Sequence, residues 1–87
     1  MNDIDDFLLN FNKKYNLRLN HDSTKLDLSY KGNKCLNSIQ YLNLSELKEL
    51  DLSFNHISDI KVLLNVKFEK LEVLNLNKNP IQNIDIY

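Results

Sequence analysis

Leucine and isoleucine recur along this chain at fixed intervals. In the run LKELDLSFNHISDI, Leu47 to Ile60, apolar residues stand at Leu47, Leu50, Leu52, Ile57 and Ile60, with Asn55 between them. The same spacing returns 24 residues later in LEVLNLNKNPIQNI, Leu71 to Ile84, and a weaker copy 24 residues earlier places Leu26, Leu28 and Leu36. Self-similarity at a period in the twenties marks a repeat architecture and outranks local propensity. Within the middle copy, Leu50 and Leu52 alternate with Glu49, Asp51 and Ser53, the pattern of a short strand with one buried face. Asn55 follows, and its amide carries both donors and an acceptor for the backbone groups that a tight turn leaves unpaired. Ile57, Ile60, Leu63 and Val66 then fall three apart, which predicts a helical or 3₁₀ return segment. Phe68 and Leu71 bring the chain back to the next strand.

A single unit of this kind cannot bury its apolar side, whereas stacked units share one continuous core with their strands parallel. Equivalent residues then form columns: Leu26, Leu50 and Leu74; Leu28, Leu52 and Leu76; Leu36, Ile60 and Ile84; Ile39 and Leu63. Each buried leucine or isoleucine contributes roughly 1.5–3 kcal/mol. The columns take up most of the apolar residues and leave few for a separate site.

At these positions the chain resembles the leucine-rich-repeat family, whose pattern is L-x-x-L-x-L-x-x-N-x-I. Leu47, Leu50, Leu52, Asn55 and Ile57 match it, and Leu71, Leu74, Leu76, Asn79 and Ile81 match it again. The tract NHISDIKVL is similar to repeats of bacterial internalins and of the related phosphatase-regulator class, although the 24-residue period is two residues longer than is usual for internalins. Ser23, Lys31 and Asn33 stand where the first copy should carry Leu, Asn and Ile, so that coil is degraded and cap-like. The resemblance implies an α/β fold, a short right-handed solenoid that binds proteins on its strand face without catalysis.

The N-terminal segment follows a different period. Ile4, Phe7, Leu8, Phe11 and Tyr15 share one face of a helix predicted over residues 2–15, with Asn2 as its cap. Asp3, Asp5 and Asp6 near its start and Lys13 and Lys14 near its end suit the helix dipole. The helix is expected to cover the first coil, as solenoid ends require. The other reading is a partner-binding or membrane helix, and its aspartates argue against an anionic membrane. Residues 16–23 link helix to repeat, and the alternating Leu17 and Leu19 could add a short strand. The expected organisation is a helical cap over 1–23 and repeats over 24–87, namely coils 24–46 and 47–70 and a partial third coil. The strand around Val73 to Asn77 is left without a sheet neighbour, and an uncovered edge is a template for pairing. A homodimer through that edge, a longer repeat scaffold of which this is the capped N-terminal portion, or a minimal cap made by Ile86 and Tyr87 would each answer it.

The strand face carries the candidate binding residues. Its rungs are Lys25, Glu49 and Val73; Asp27, Asp51 and Asn75; Ser29, Ser53 and Asn77. Adjacent strands lie about 4.8 Å apart. Asp27 beside Asp51 would therefore cost roughly 1–3 kcal/mol. Three offsets are open: Lys25 with water, a lysine or arginine from a partner, or a divalent cation. Just past the strand, Tyr30 and Phe54 occupy one repeat position, with Lys78 as its third member. Exposed aromatics beside a polar sheet are favoured interface anchors, because they bury much area at little entropic cost. Lys25, Asp27, Tyr30, Glu49, Asp51, Phe54, Val73, Asn75, Asn77 and Lys78 are thus the expected partner-binding set.

Composition narrows the functional class. Eighty-seven residues make one domain, with 43% hydrophobic and 26% charged residues, ordinary globular values. The net charge of −1 provides no basic field for nucleic acid. No run is long and apolar enough to span a membrane, and no signal peptide is recognisable, so a cytoplasmic location is expected. The single Cys35 cannot form an internal disulfide, which fits a reducing compartment. Cys35, His21 and His56 are too few for a structural zinc site and are not placed as a nucleophile with its base. The consecutive His21, Asp22 and Ser23 do not make a triad, which is a spatial constellation. Asn43-Leu44-Ser45 is a glycosylation sequon without a secretory context. The expectation is a non-catalytic adaptor or inhibitor that needs no cofactor and recognises another protein.

Overall fold

The computed structural model describes residues 3–82, with side chains from residue 6 onward. An N-terminal helix, α1 (Asp3–Tyr15), precedes three short strands, β1 (Lys25–Asp27), β2 (Glu49–Asp51) and β3 (Val73–Asn75). Five-residue 3₁₀ segments, Asn37–Tyr41 and Lys61–Asn65, connect them. The strands form one parallel sheet in the order β1-β2-β3.

The sheet register follows the sequence repeat. Leu26 lies opposite Leu50 and Leu50 opposite Leu74, and the flanking residues pair at the same offset. Leu26, Leu28, Leu36, Ile39, Leu44, Leu47, Leu50, Leu52, Ile57 and Ile60 are buried and form the core expected of stacked columns. The return segments are 3₁₀ rather than α because their apolar residues recur every third position, which eclipses side chains in a three-residue turn. Ile39 N–H donates to Leu36 C=O, and Leu63 N–H to Ile60 C=O.

Burial thins out along the columns. Leu26 and Leu50 are 3% and 1% exposed, but Leu74 is 42% exposed. Leu71, Leu76 and Ile81 pack only partly against the core. A residue of one coil is buried between its two neighbours, and among the described residues no strand pairs with the outer side of β3. Leu74 therefore departs from the fully buried column that its repeat position implies.

At the other end α1 covers the first coil. Phe11 and Tyr15 are buried, Phe7 and Leu8 partly so, and Phe7 meets Tyr41 edge-on at 5.5 Å. The helix stops because Asn16 takes a left-handed conformation (φ 56°) and Leu17 N–H donates back to Asn12 C=O, a Schellman-type end. The Asn12 side chain then holds the link from both sides, donating to Leu19 C=O at 2.8 Å and accepting from Leu19 N–H at 2.9 Å. Leu17 and Leu19 accordingly pack inward without forming the strand that their alternation suggested. Asn2, the side chains of Asp3, Ile4 and Asp5, and Asn83 to Tyr87 lie outside the described residues, and with them the expected N-cap, the Ile84 column position and the Ile86–Tyr87 cap.

Candidate functional site

Three successive turns leave the sheet in the same way. Immediately past each strand one residue adopts a left-handed backbone: Tyr30 (φ 57°), Phe54 (φ 57°) and Lys78 (φ 61°). This conformation costs a non-glycine residue on the order of 1–3 kcal/mol and persists only where its surroundings enforce it. The enforcing groups are visible. Tyr30 N–H donates to Ser53 C=O and Phe54 N–H to Asn77 C=O, so the first two strained residues are tied to the next coil. Asn55, buried directly behind Phe54, donates to the carbonyls of Leu28, Leu52 and Ser53 and accepts from Lys31 N–H and Asn33 N–H. Asn79 does the same one coil later, donating to Leu52, Leu76 and Asn77 carbonyls and accepting from Ile57 N–H. The first coil has Lys31 at this position. There Gly32 takes φ 69°, and the Tyr15 hydroxyl donates to Asn33 Oδ1 at 2.8 Å, so the cap helix takes part in bracing that turn.

The left-handed turn presents its side chain outward. Tyr30 and Phe54 stack on one another with centroids 4.3 Å apart and planes 10° from parallel, yet they remain 70% and 44% exposed. The pair is thus both a packed rim and an available apolar surface. Lys78 continues the row without an aromatic ring.

Beside this rim lies the sheet face, a shallow depression of about 300 Å³ lined by Lys25, Asp27, Glu49, Asp51, Val73 and Asn75 among others. Lys25 Nζ stands 3.5 Å from Glu49, its neighbour on the same rung. Both groups are solvated, so the pair contributes little to stability. The Asp27–Asp51 juxtaposition is real, because the two residues are register partners. Each carboxylate is satisfied by the serine two residues further on, just past its strand. Asp27 Oδ1 accepts from the Ser29 hydroxyl at 2.6 Å and from Ser29 N–H at 2.9 Å. Asp51 Oδ1 accepts from the Ser53 hydroxyl and N–H at the same two distances. The Ser29 hydroxyl, followed by its backbone N–H and the charge of Lys31, holds the Asp27 carboxyl below the usual aspartate value against a small opposing effect of burial. The readable signal was Asp-x-Ser at 24-residue spacing, an Asx-turn pattern, with Asn75-x-Asn77 as its third copy, where Asn75 Oδ1 accepts from Asn77 N–H.

The rung Ser29, Ser53 and Asn77 is not uniformly exposed: Ser53 is buried, Ser29 half-buried and Asn77 open. Val73 is 50% exposed. Away from the face, Cys35 is an exposed free thiol. Asn43 of the sequon accepts from Ser45 N–H, and the intervening Leu44 is buried. Among the described residues, no group of three or more His, Cys, Asp or Glu side chains could hold a metal ion. No helix among them is long and apolar enough to cross a membrane.

Residues 45–87 match the family model for leucine rich repeats (2 copies). That span contains both full motifs, Leu47–Ile57 and Leu71–Ile81. No curated protein and no solved structure matches the chain. The chain therefore carries a leucine-rich-repeat region on a short α/β arrangement, a helix followed by parallel strands. Repeats of this kind are non-catalytic scaffolds that generally mediate protein–protein interaction.

Proposed function

From that repeat region we propose that the chain is a small right-handed solenoid, capped over 1–23 and repeating over 24–87, that recognises another protein on its strand face as an adaptor or inhibitor. The observation that carries this reading is the exposed Tyr30–Phe54 stack, held by strained but braced turns at the border of the sheet. A preordered aromatic pair loses little rotamer freedom on binding, which is the property of an interface hot spot. Around it, Lys25, Asp27, Glu49, Asp51, Asn75, Asn77 and Lys78 provide polar complementarity rather than most of the energy, and Val73 adds an exposed apolar contact. The tract NHISDIKVL allies the repeat with the internalin and phosphatase-regulator type.

The test is partner capture by the full chain compared with Phe54→Ala, Tyr30→Ala and Asp51→Lys, each checked for an unchanged far-ultraviolet circular dichroism spectrum. Loss of the partner with the aromatic variants supports the reading. Equal recovery by all three removes the strand face from consideration.

A second reading, pairing of two copies through the third coil, is favoured by the exposure of Val73 and Leu74 on β3. The same edge would also receive a further coil of a longer scaffold.

A further inference from the structure

We infer that the open edge of β3 pairs with β3 of a second copy, antiparallel, about a twofold axis passing through Asn75. This rests on the edge-pairing reading above and specifies its geometry. In a parallel ladder each residue directs its N–H and C=O to one side, and successive residues alternate sides. Val73 N–H donates to Lys48 C=O and Leu52 N–H to Asn75 C=O, so Val73 and Asn75 face β2. Leu74 and Leu76 face away, and so does the Glu72 C=O by analogy with the Lys48 C=O, whereas the Glu72 N–H is taken by Lys48 C=O. The Lys78 N–H joins them, because its equivalents Tyr30 N–H and Phe54 N–H each donate to the following coil. Among the described residues no further strand receives these outward groups, and the Leu76 C=O accepts only from the Asn79 amide of its own turn.

The segment Glu72 to Lys78, EVLNLNK, complements its own reverse. With the axis at Asn75, Glu72 meets Lys78 of the second copy, Val73 meets Asn77, and Leu74 meets Leu76. The outward groups of residues 74, 76 and 78, with the Glu72 C=O, then oppose only one another, which antiparallel hydrogen bonding requires. Opposite charges fall at both ends, and the half-exposed Leu74 gains an apolar neighbour. Moving the axis to Leu74 sets Lys78 against Lys70, and moving it to Leu76 sets Glu72 against Pro80, which has no N–H. A one-residue slip opposes outward groups with inward ones. Twofold closure also stops at a dimer, whereas head-to-tail stacking of coils would not.

The experiment uses the full chain with Cys35→Ser, followed by light scattering across concentration. The short edge predicts a weak dimer that dissociates on dilution. Glu72→Lys and Lys78→Glu, both at exposed positions, should each weaken it about tenfold, since two attractive cross-strand pairs become repulsive. The double reversal should return it to within about threefold of the starting value. Asn75→Cys should form an intermolecular disulfide under air, because a non-hydrogen-bonded pair brings Cα atoms to about 4.5 Å. Asn77→Cys should not. A monomer at every concentration with no Asn75→Cys disulfide overturns the edge pairing. A dimer that the double reversal fails to restore overturns the register and leaves edge pairing standing. Neither result bears on the aromatic rim, which the Phe54→Ala capture reads separately.

Discussion

Asn55 does more for this fold than any other polar residue. Its single amide serves three carbonyls and two N–H groups on two coils, from a buried position. Asn55→Ala removes this partner from the Leu28 C=O and from the Lys31 and Asn33 N–H groups, while the Leu52 and Ser53 carbonyls keep Asn79 and the Tyr30 N–H, and it is expected to cost about 2–4 kcal/mol, read from chemical denaturation at constant m-value. The Asp27–Ser29 contact is a different kind of residue-scale effect, because it sits at the surface and acts through protonation. A carboxyl whose folded pKa lies below its unfolded value adds stability above the unfolded value and loses it as pH falls through the folded one. Ser29→Ala should therefore raise the Asp27 pKa toward its ordinary value of about 3.9, as followed by carboxyl-carbon NMR. The same variant should also lessen the loss of stability below about pH 4.

At the scale of elements, the turn after each strand determines what the sheet displays. Its left-handed residue is strained in proportion to its Cβ, and the stacked rings of Tyr30 and Phe54 offset part of that strain. Phe54→Gly relieves the backbone and removes the stack, two opposing effects of about 1 kcal/mol each. Its unfolding free energy should stay within about 1 kcal/mol of the parent while partner capture is lost. Lost stability beyond that range would show that the ring serves packing more than recognition. The helix end follows the same rule. Asn16 is tolerated at φ 56°, where Asn16→Gly should be neutral to stabilising and a β-branched residue should destabilise the cap in thermal melts.

Across the whole molecule, stability should be graded along the stack. Leu50 is sealed between β1 and β3, whereas Leu74 has a coil on one side only among the described residues. Leu50→Ala should cost about 3–5 kcal/mol, enough to unfold so small a domain, and Leu74→Ala about 1 kcal/mol. In dilute solution, where the weak β3 pairing dissociates, amide exchange should show the same gradient, slow in β1 and β2 and fast in β3. Equal protection in all three strands would mean that something covers the third coil in solution.

The repeat itself was readable residue by residue. A fixed interval between leucines can be satisfied only by stacking equivalent positions, so the register Lys25–Glu49–Val73 followed from spacing, the N-terminal helix followed from its own three- and four-residue period, and the returns, expected as helical or 3₁₀, are 3₁₀. What spacing could not supply was contact between side chains whose partners are chosen by three-dimensional proximity. The stacking of Tyr30 on Phe54, the Tyr15 hydroxyl on Asn33, the grip of Asn12 on Leu19 and the burial of Ser53 all depend on how far the coils lean together. Local sequence sets which atoms each coil offers. Only the packed coils decide which of those atoms come within a few ångströms, and hydrogen bonds and ring contacts exist only at that range.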